Sequence, residues 1–222
     1  MSKNFKIGFV GLTHLGLNYL AASSEKGFHV EGIDFDKDKI ESLKKFNIEY
    51  NEPNLKKTII KNKKKITFSS SPKNLSKCKI IFISQDISTD YKNRSDFKSL
   101  KKIIINTVKF LNKKAILVIL SQVRPGFTRN INFDHNRLYY QVETLIFGQS
   151  IKRALKPERI IVGCKSSNFK INKFFLNYLK NFKCPIIKMK YESAELTKIS
   201  INILLASTVT TSNMLASACE KI

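Results

Sequence analysis

Lys6-Ile7-Gly8-Phe9-Val10-Gly11-Leu12-Thr13-His14-Leu15-Gly16 is the stretch on which the fold turns. An apolar run ends in Gly11, a helix-like segment follows from His14 to Lys26, and a second apolar run spans His29 to Asp34. That order is the pattern of a βαβ unit. Uninterrupted apolar runs, unlike alternating ones, belong to parallel sheets covered on both faces. Three more runs, Ile80 to Ser84, Ala115 to Leu120 and Ile160 to Gly163, read the same way, with helix-like stretches at Ser95 to Leu111 and Asn168 to Phe182. The expected fold class is α/β: a doubly wound, mostly parallel, Rossmann-like sheet followed by a long helix.

That helix is read from Tyr191 to Ile222, where there is no glycine or proline and Leu196, Ile199, Ile203 and Leu204 recur at helical spacing. It would run about 45 Å, longer than a sheet-covering helix requires. The expected division is residues 1–190 for the sheet domain and 191–222 for the helix, with the boundary near Lys188 to Glu192. Left bare, the apolar stripe would expose a patch, so a homodimer through this helix is expected.

With 222 residues, 42% of them hydrophobic, the chain can bury a sizeable core. Its formal charge of +23 would suit nucleic acid, but the lysines are spread over nearly every helix-like segment (Lys37, Lys44, Lys56, Lys101, Lys113, Lys173, Lys180). The densest run, Lys61 to Lys65, has no interleaved aromatics to stack bases. A solvated lysine surface is expected, with no nucleic-acid partner and a general pull on small anionic ligands. The first apolar run is too short and too soon interrupted for a signal peptide or membrane span, so a cytoplasmic location and no membrane partner are expected. Cys78, Cys164, Cys184 and Cys219 form no C-x-x-C pair and have no histidine at ligand spacing; reduced, buried thiols and no metal site follow.

Gly11 to Gly16 matches G-x-G-x-x-G except that Thr13 replaces the second glycine. A dinucleotide's diphosphate would lie at the helix start, where Thr13 must push it outward or hydrogen-bond to it. Asp34, about twenty residues on, sits where a carboxylate accepts from the adenosine ribose hydroxyls, and its charge selects NAD over NADP. An ordinary strand-to-helix turn with a capping aspartate would satisfy the same residues.

Read with later motifs, the chain resembles the UDP-glucose/GDP-mannose dehydrogenase family of nucleotide-sugar dehydrogenases along essentially its whole length. Gly11 to Leu17 resembles that family's Gly-Leu-Gly-Tyr-Val-Gly-Leu, with Thr13, His14 and Leu15 substituted, and Lys39 falls at its basic position near the cofactor. Asn51-Glu52-Pro53-Asn54-Leu55 is similar to Glu-Pro-Gly-Leu, with Asn54 able to serve the left-handed conformation of that glycine. Ser121-Gln122-Val123-Arg124-Pro125-Gly126-Phe127-Thr128 resembles the Ser-Thr-Val-Pro-Pro-Gly-Thr loop beside the nicotinamide, and Ser84 to Thr89 corresponds loosely to a Thr-Pro-Thr loop. Tyr139 to Gly148 and Lys156 to Gly163 resemble the Pro-Glu-Phe-Leu-x-x-Gly and Asn-Pro-x-Arg-Ile-Val-x-Gly stretches. Glu192 to Asn202 resembles Ala-Glu-Leu-x-Lys-x-x-x-Asn, with Lys198 and Asn202 one helical turn apart.

The resemblance implies NAD as cofactor and a nucleotide sugar as substrate, its C6 alcohol oxidised to a carboxylate in two hydride transfers through a cysteine-bound thiohemiacetal and thioester. It implies cofactor contacts at Gly11, Thr13, His14, Leu15, Gly16, Asp34, Lys39, Ser84, Ser121 and Gln122. It also implies catalytic roles for Glu143, which would guide the hydrolytic water, and for Lys198 and Asn202, which would hold the oxyanion. The family's Gly-Gly-x-Cys loop and C-terminal nucleotide-binding domain would lie beyond Ile222, so the chain is expected to be the cofactor-binding part of the enzyme. Two other readings stay open: a catalytically inactive NAD-binding or dimerisation module, and a β-hydroxyacid dehydrogenase, which shares the Rossmann domain and the Lys-x-x-x-Asn helix but needs no hydrolytic glutamate.

Overall fold

A computed structural model describes residues 5–92 and 95–222. β1 (Lys6–Val10), α1 (His14–Glu25) and β2 (His29–Ile33) form the first βαβ unit, with Lys6 opposite His29 and Val10 opposite Ile33 in parallel register. Gly27, at φ 93°, ends α1 in the left-handed conformation that glycine adopts without strain. α2 (Lys37–Lys44) starts where the Asp36 side chain accepts from the Lys39 N–H, an N-cap bond. α3 (Leu55–Lys61) follows Asn54, which does take the left-handed conformation at φ 66°.

The chain continues through β3 (Ile66–Ser69), β4 (Cys78–Ile83), α4 (Phe97–Val108), β5 (Ile116–Ile119), β6 (Leu138–Gln141), α5 (Ser150–Leu155), β7 (Ile160–Cys164), α6 (Lys173–Lys180), β8 (Ile186–Lys190) and α7 (Tyr191–Cys219). The eight strands make one sheet in the order β3-β2-β1-β4-β5-β6-β7-β8. All pairs are parallel except β6 with β7. The connection therefore reverses direction at β1 and β4, and a crevice opens beyond the carboxyl ends of those strands.

The apolar runs have a simple cause: both faces of the sheet are covered. Ile7, Phe9, Ile80, Phe82, Ile116 and Val118 belong to one buried cluster, with residues of α1, α3, α5 and α6. Val10, Ile81, Ile83, Leu117 and Ile119 belong to the other, with residues of α4 and the start of α7. Phe9 stacks on Phe82 at 5.0 Å between ring centroids, and each such side chain contributes about 1.5–3 kcal/mol on burial.

β8 passes into α7 with no linker. Tyr191, Ala194, Glu195 and Lys198 in the first turns are buried, and Arg129 grips Glu192 with Nε at 2.8 Å and Nη2 at 3.1 Å. From Ile201 to Ile222 every residue is exposed, among them Leu204, Leu205, Val209, Met214 and Leu215. By length and composition α7 is long and apolar enough to cross a membrane. The expectation of four buried thiols is corrected. Burial pushes the thiols of Cys78 and Cys164 up to about 12 and about 11, but Cys184 is half-buried and Cys219 is exposed, because among the described residues none covers the end of α7.

Candidate active site

The turn after β1 is built on glycine. Gly11 has φ 89°, and a Cβ there would lie 2.7 Å from the backbone of Gln85. A Cβ on Gly16 would meet the Gly11 carbonyl at 2.1 Å, so α1 can lie against the turn only with glycine at that position. Ser84 Oγ donates to the Gly11 carbonyl at 2.8 Å, and Thr13 Oγ1 donates to the Ser84 carbonyl at 3.0 Å. Ser121 Oγ donates to the Gln85 carbonyl at 2.6 Å.

These three bonds change what is expected of Thr13, Ser84 and Ser121. All three residues are buried, and their hydroxyls lock the ends of β1, β4 and β5 together beneath the crevice instead of facing into it. Thr13 is the N-cap residue of α1 yet makes no capping bond, and the first turn carries no acidic side chain. The first N–H groups of α1 thus have no intrahelical acceptor, and this positive helix end is where an anionic group fits. Asp34 is fixed beside it: Oδ2 accepts from the Leu12 N–H at 2.9 Å and lies 3.3 Å from Lys39 Nζ. Glycine cradle, open helix end and oriented carboxylate together fit a dinucleotide.

His14 and Leu15 open a crevice of about 720 Å³ whose wall also contains Gln122, Glu143, Lys198 and Asn202. Lys198 is buried, and its ammonium forms an ion pair with Glu143. The other Glu143 oxygen accepts from the Leu145 N–H at 3.0 Å. Asn202 Nδ2 donates to Gln122 Oε1 at 3.0 Å, so α7 is tied to the loop after β5. Residues from His14 to Asn202 therefore meet around one space.

Three acidic residues that the sequence patterns did not single out organise this space. Glu52 accepts from His14 Nε2 at 2.9 Å, from the Gly148 N–H at 3.1 Å and from the Ser150 N–H at 2.8 Å. Burial pushes its carboxyl up, but those bonds together outweigh it and hold the pKa below the usual glutamate value. The clamp leaves the His14 ring stacked on Phe147 at 4.4 Å. Glu195, wholly buried in α7, accepts from the Gly126 N–H at 2.6 Å and the Thr128 N–H at 2.8 Å, fixing the Arg124–Thr128 loop. Asp86, just past β4, lines the crevice beside His14 and Glu143. Glu52 and Glu195 lie within quoted motifs, but nothing local distinguishes them from solvated acids.

A parallel sheet reversing at β1 and β4, a glycine turn with a partner carboxylate, and a lysine–glutamate pair in the crevice define a dinucleotide-binding dehydrogenase-like domain. Residues 5–178 match the model of the UDP-glucose/GDP-mannose dehydrogenase family, NAD binding domain. A UDP-glucose 6-dehydrogenase of Campylobacter jejuni is 28% identical over 215 residues, 92% of this chain and 53% of that protein. The solved UDP-glucose dehydrogenase of Pyrobaculum islandicum superposes with a TM-score of 0.85 at 20% identity, covering 95% of this chain and 52% of that one. The GDP-mannose dehydrogenase of Pseudomonas aeruginosa gives 0.83 at 19% identity, covering 93% and 51%. The chain belongs to the UDP-glucose/GDP-mannose dehydrogenase family and carries its NAD-binding domain. It spans about half the length of these relatives. Membership in this family also sets the β-hydroxyacid reading aside.

Proposed function

We propose that the chain is the cofactor-binding and part-catalytic portion of an NAD-dependent nucleotide-sugar dehydrogenase that oxidises a primary alcohol to a carboxylate, in line with its similarity to a UDP-glucose 6-dehydrogenase. The observation that carries this is the meeting of Lys198, Asn202, Gln122 and Glu143 with the start of α1 around one crevice. Gly11, Gly16, His14 and Leu15 present the open end of α1 to the cofactor diphosphate, while Asp34 and Lys39 address the adenosine ribose. Held by these residues, NAD would supply the hydride acceptor.

The chain's own groups then handle charge and protons. Lys198, desolvated and adjacent to Glu143, supplies a fixed positive charge where the alcohol oxygen gains negative charge, and the second N–H of Asn202 can donate to the same oxygen. Glu143 accepts a proton from water directed at the acyl carbon, its position held by Lys198 and the Leu145 N–H. None of the four cysteines lines the crevice, so a thiol nucleophile has to come from outside this set. Free thiols at Cys78 and Cys164 suit action in the cytoplasm. The exposed half of α7 is assigned to a homodimer contact, since Leu204, Leu205, Val209, Met214 and Leu215 bare more apolar surface than a monomer usually leaves in water.

The test is to add NAD and a panel of nucleotide sugars to the chain and follow NADH absorbance. Turnover supports the full reading. NAD binding without turnover supports the cofactor-binding role, which the first reading shares with the second, a cofactor-binding module, and leaves the thiol to be supplied from elsewhere. Absence of NAD binding refutes both.

A further inference from the structure

Asp86 is an acidic residue of the crevice with no counterpart in the reaction outlined above. It follows β4 directly and is brought by the strand order to the start of α1, lining the same wall as His14 and Leu15. α1 has no acid of its own in its first turn. The negative charge at this positive helix end therefore comes from a neighbouring strand, where it competes with any ligand carrying a diphosphate.

We propose that Asp86 acts as a charge gate on dinucleotide binding: its ionised carboxylate occupies the field of the α1 N-terminus and repels the cofactor diphosphate, so that binding is strongest when Asp86 carries a proton. This rests on the placement of the NAD diphosphate at α1. The groups around Asp86 fit a carboxyl that can take up a proton. The protein enclosing it raises its pKa above the usual aspartate value, and Glu143, across the crevice, adds to the rise. A hydrogen bond with the side chain of Thr13, the N-cap residue of α1, opposes it, as do the nearby charges of His14 and Lys39, and the Tyr50 phenol lies within its electrostatic reach. Lys198, which lines the same crevice, is engaged by Glu143.

The sign follows. A ligand bearing two phosphate charges at this helix end favours the neutral carboxyl, so binding takes up a proton and the affinity for NAD rises as pH falls through the Asp86 titration. A single unscreened carboxylate in a crevice of intermediate polarity corresponds to about a tenfold change in affinity.

The test is isothermal titration of the chain with NAD between pH 5.5 and 8, in two buffers of different ionisation enthalpy so that protons taken up are counted directly. Asp86→Asn is expected to bind NAD about tenfold tighter than the unchanged chain at pH 8, and to lose most of the proton uptake and pH dependence. Asp86→Ser, which is smaller and keeps a polar side chain, is expected to behave likewise and guards against a fold defect in the first variant. His14→Gln removes the imidazole: pH dependence that survives in it and is lost in Asp86→Asn belongs to Asp86. If the unchanged chain binds NAD but both Asp86 variants bind equally or more weakly, with the same protons taken up, the gate is overturned while the NAD site stands. If no form binds NAD, the site itself is refuted and the gate with it.

Discussion

Replacing Glu195 by Gln removes one charge from the middle of the protein and leaves the side-chain shape almost unchanged. Glu195 has no exposed surface, and its two carboxylate oxygens accept from the Gly126 and Thr128 N–H groups at 2.6 and 2.8 Å. Hydrogen bonds to a charged acceptor contribute about 1.5–3 kcal/mol each. Glutamine keeps one acceptor oxygen and turns its NH2 towards a backbone N–H, so one bond is lost and a donor faces a donor. The expected cost is about 2–4 kcal/mol, or a drop in Tm of roughly 5–15 °C for a chain of this size. Urea unfolding followed by far-UV circular dichroism measures it, with the m-value checked for constancy. NAD affinity should weaken as well, because the Arg124–Thr128 loop is held at the crevice by this residue. A loss of stability under about 0.5 kcal/mol would refute the assignment of Glu195 as the clamp between α7 and that loop.

Glu52→Gln should cost about 2 kcal/mol at neutral pH, since Glu52 serves three donors. Its folded pKa is depressed, so this stabilisation is full above the ordinary glutamate value and disappears as pH falls through the lower folded one. Unfolding curves of the two proteins should therefore converge in acid. Gly16→Ala forces a Cβ onto the Gly11 carbonyl, 2.1 Å away, and is expected to cost at least about 2 kcal/mol and to abolish NAD binding, both visible in one thermal-shift titration with and without NAD. Lys198→Met strands the Glu143 charge in a half-closed site and should destabilise by about 3 kcal/mol. The double variant Lys198→Met/Glu143→Leu should recover most of that loss, and a double variant as unstable as the sum of the singles would remove the ion pair from the account.

The central strands were legible because both their faces are covered: β1, β4, β5 and β7 are near-continuous apolar runs, and β2, which carries His29 and Glu31, was read from its place in the βαβ unit. β3 and β8 were not, because as edge strands they are partly exposed and mix polar with apolar residues, Ile66-Thr67-Phe68-Ser69 and Ile186-Ile187-Lys188-Met189-Lys190. β6, Leu138-Tyr139-Tyr140-Gln141, is fully buried but too short, and too rich in groups with polar tips, to register as an apolar run. α2, α3 and α5 are six to eight residues long and set by local caps and tertiary packing more than by periodicity.

In the site, Gly11, Gly16 and Asp34 could be read from spacing, because the βαβ unit itself brings them together within about thirty residues. Glu143, Lys198 and Asn202 emerged only from whole-length resemblance. Glu52, Asp86 and Glu195 were not legible at all, since each acts on segments between 38 and 98 residues away or, for Asp86, on a neighbouring strand's turn. The inward hydroxyls of Ser84 and Ser121 illustrate the same gap: a motif fixes a residue at a strand end but not which way its side chain faces.

Equilibrium binding of NAD to the chain and to its Asp34→Ala variant, by titration calorimetry, goes to the heart of the matter. NAD should bind in preference to NADP, and loss of the Asp34 carboxylate should weaken NAD at least tenfold while narrowing that preference. Equal affinity of the two proteins for NAD, or tighter binding of NADP to the unchanged chain, would contradict a dinucleotide site built on the Gly11 turn.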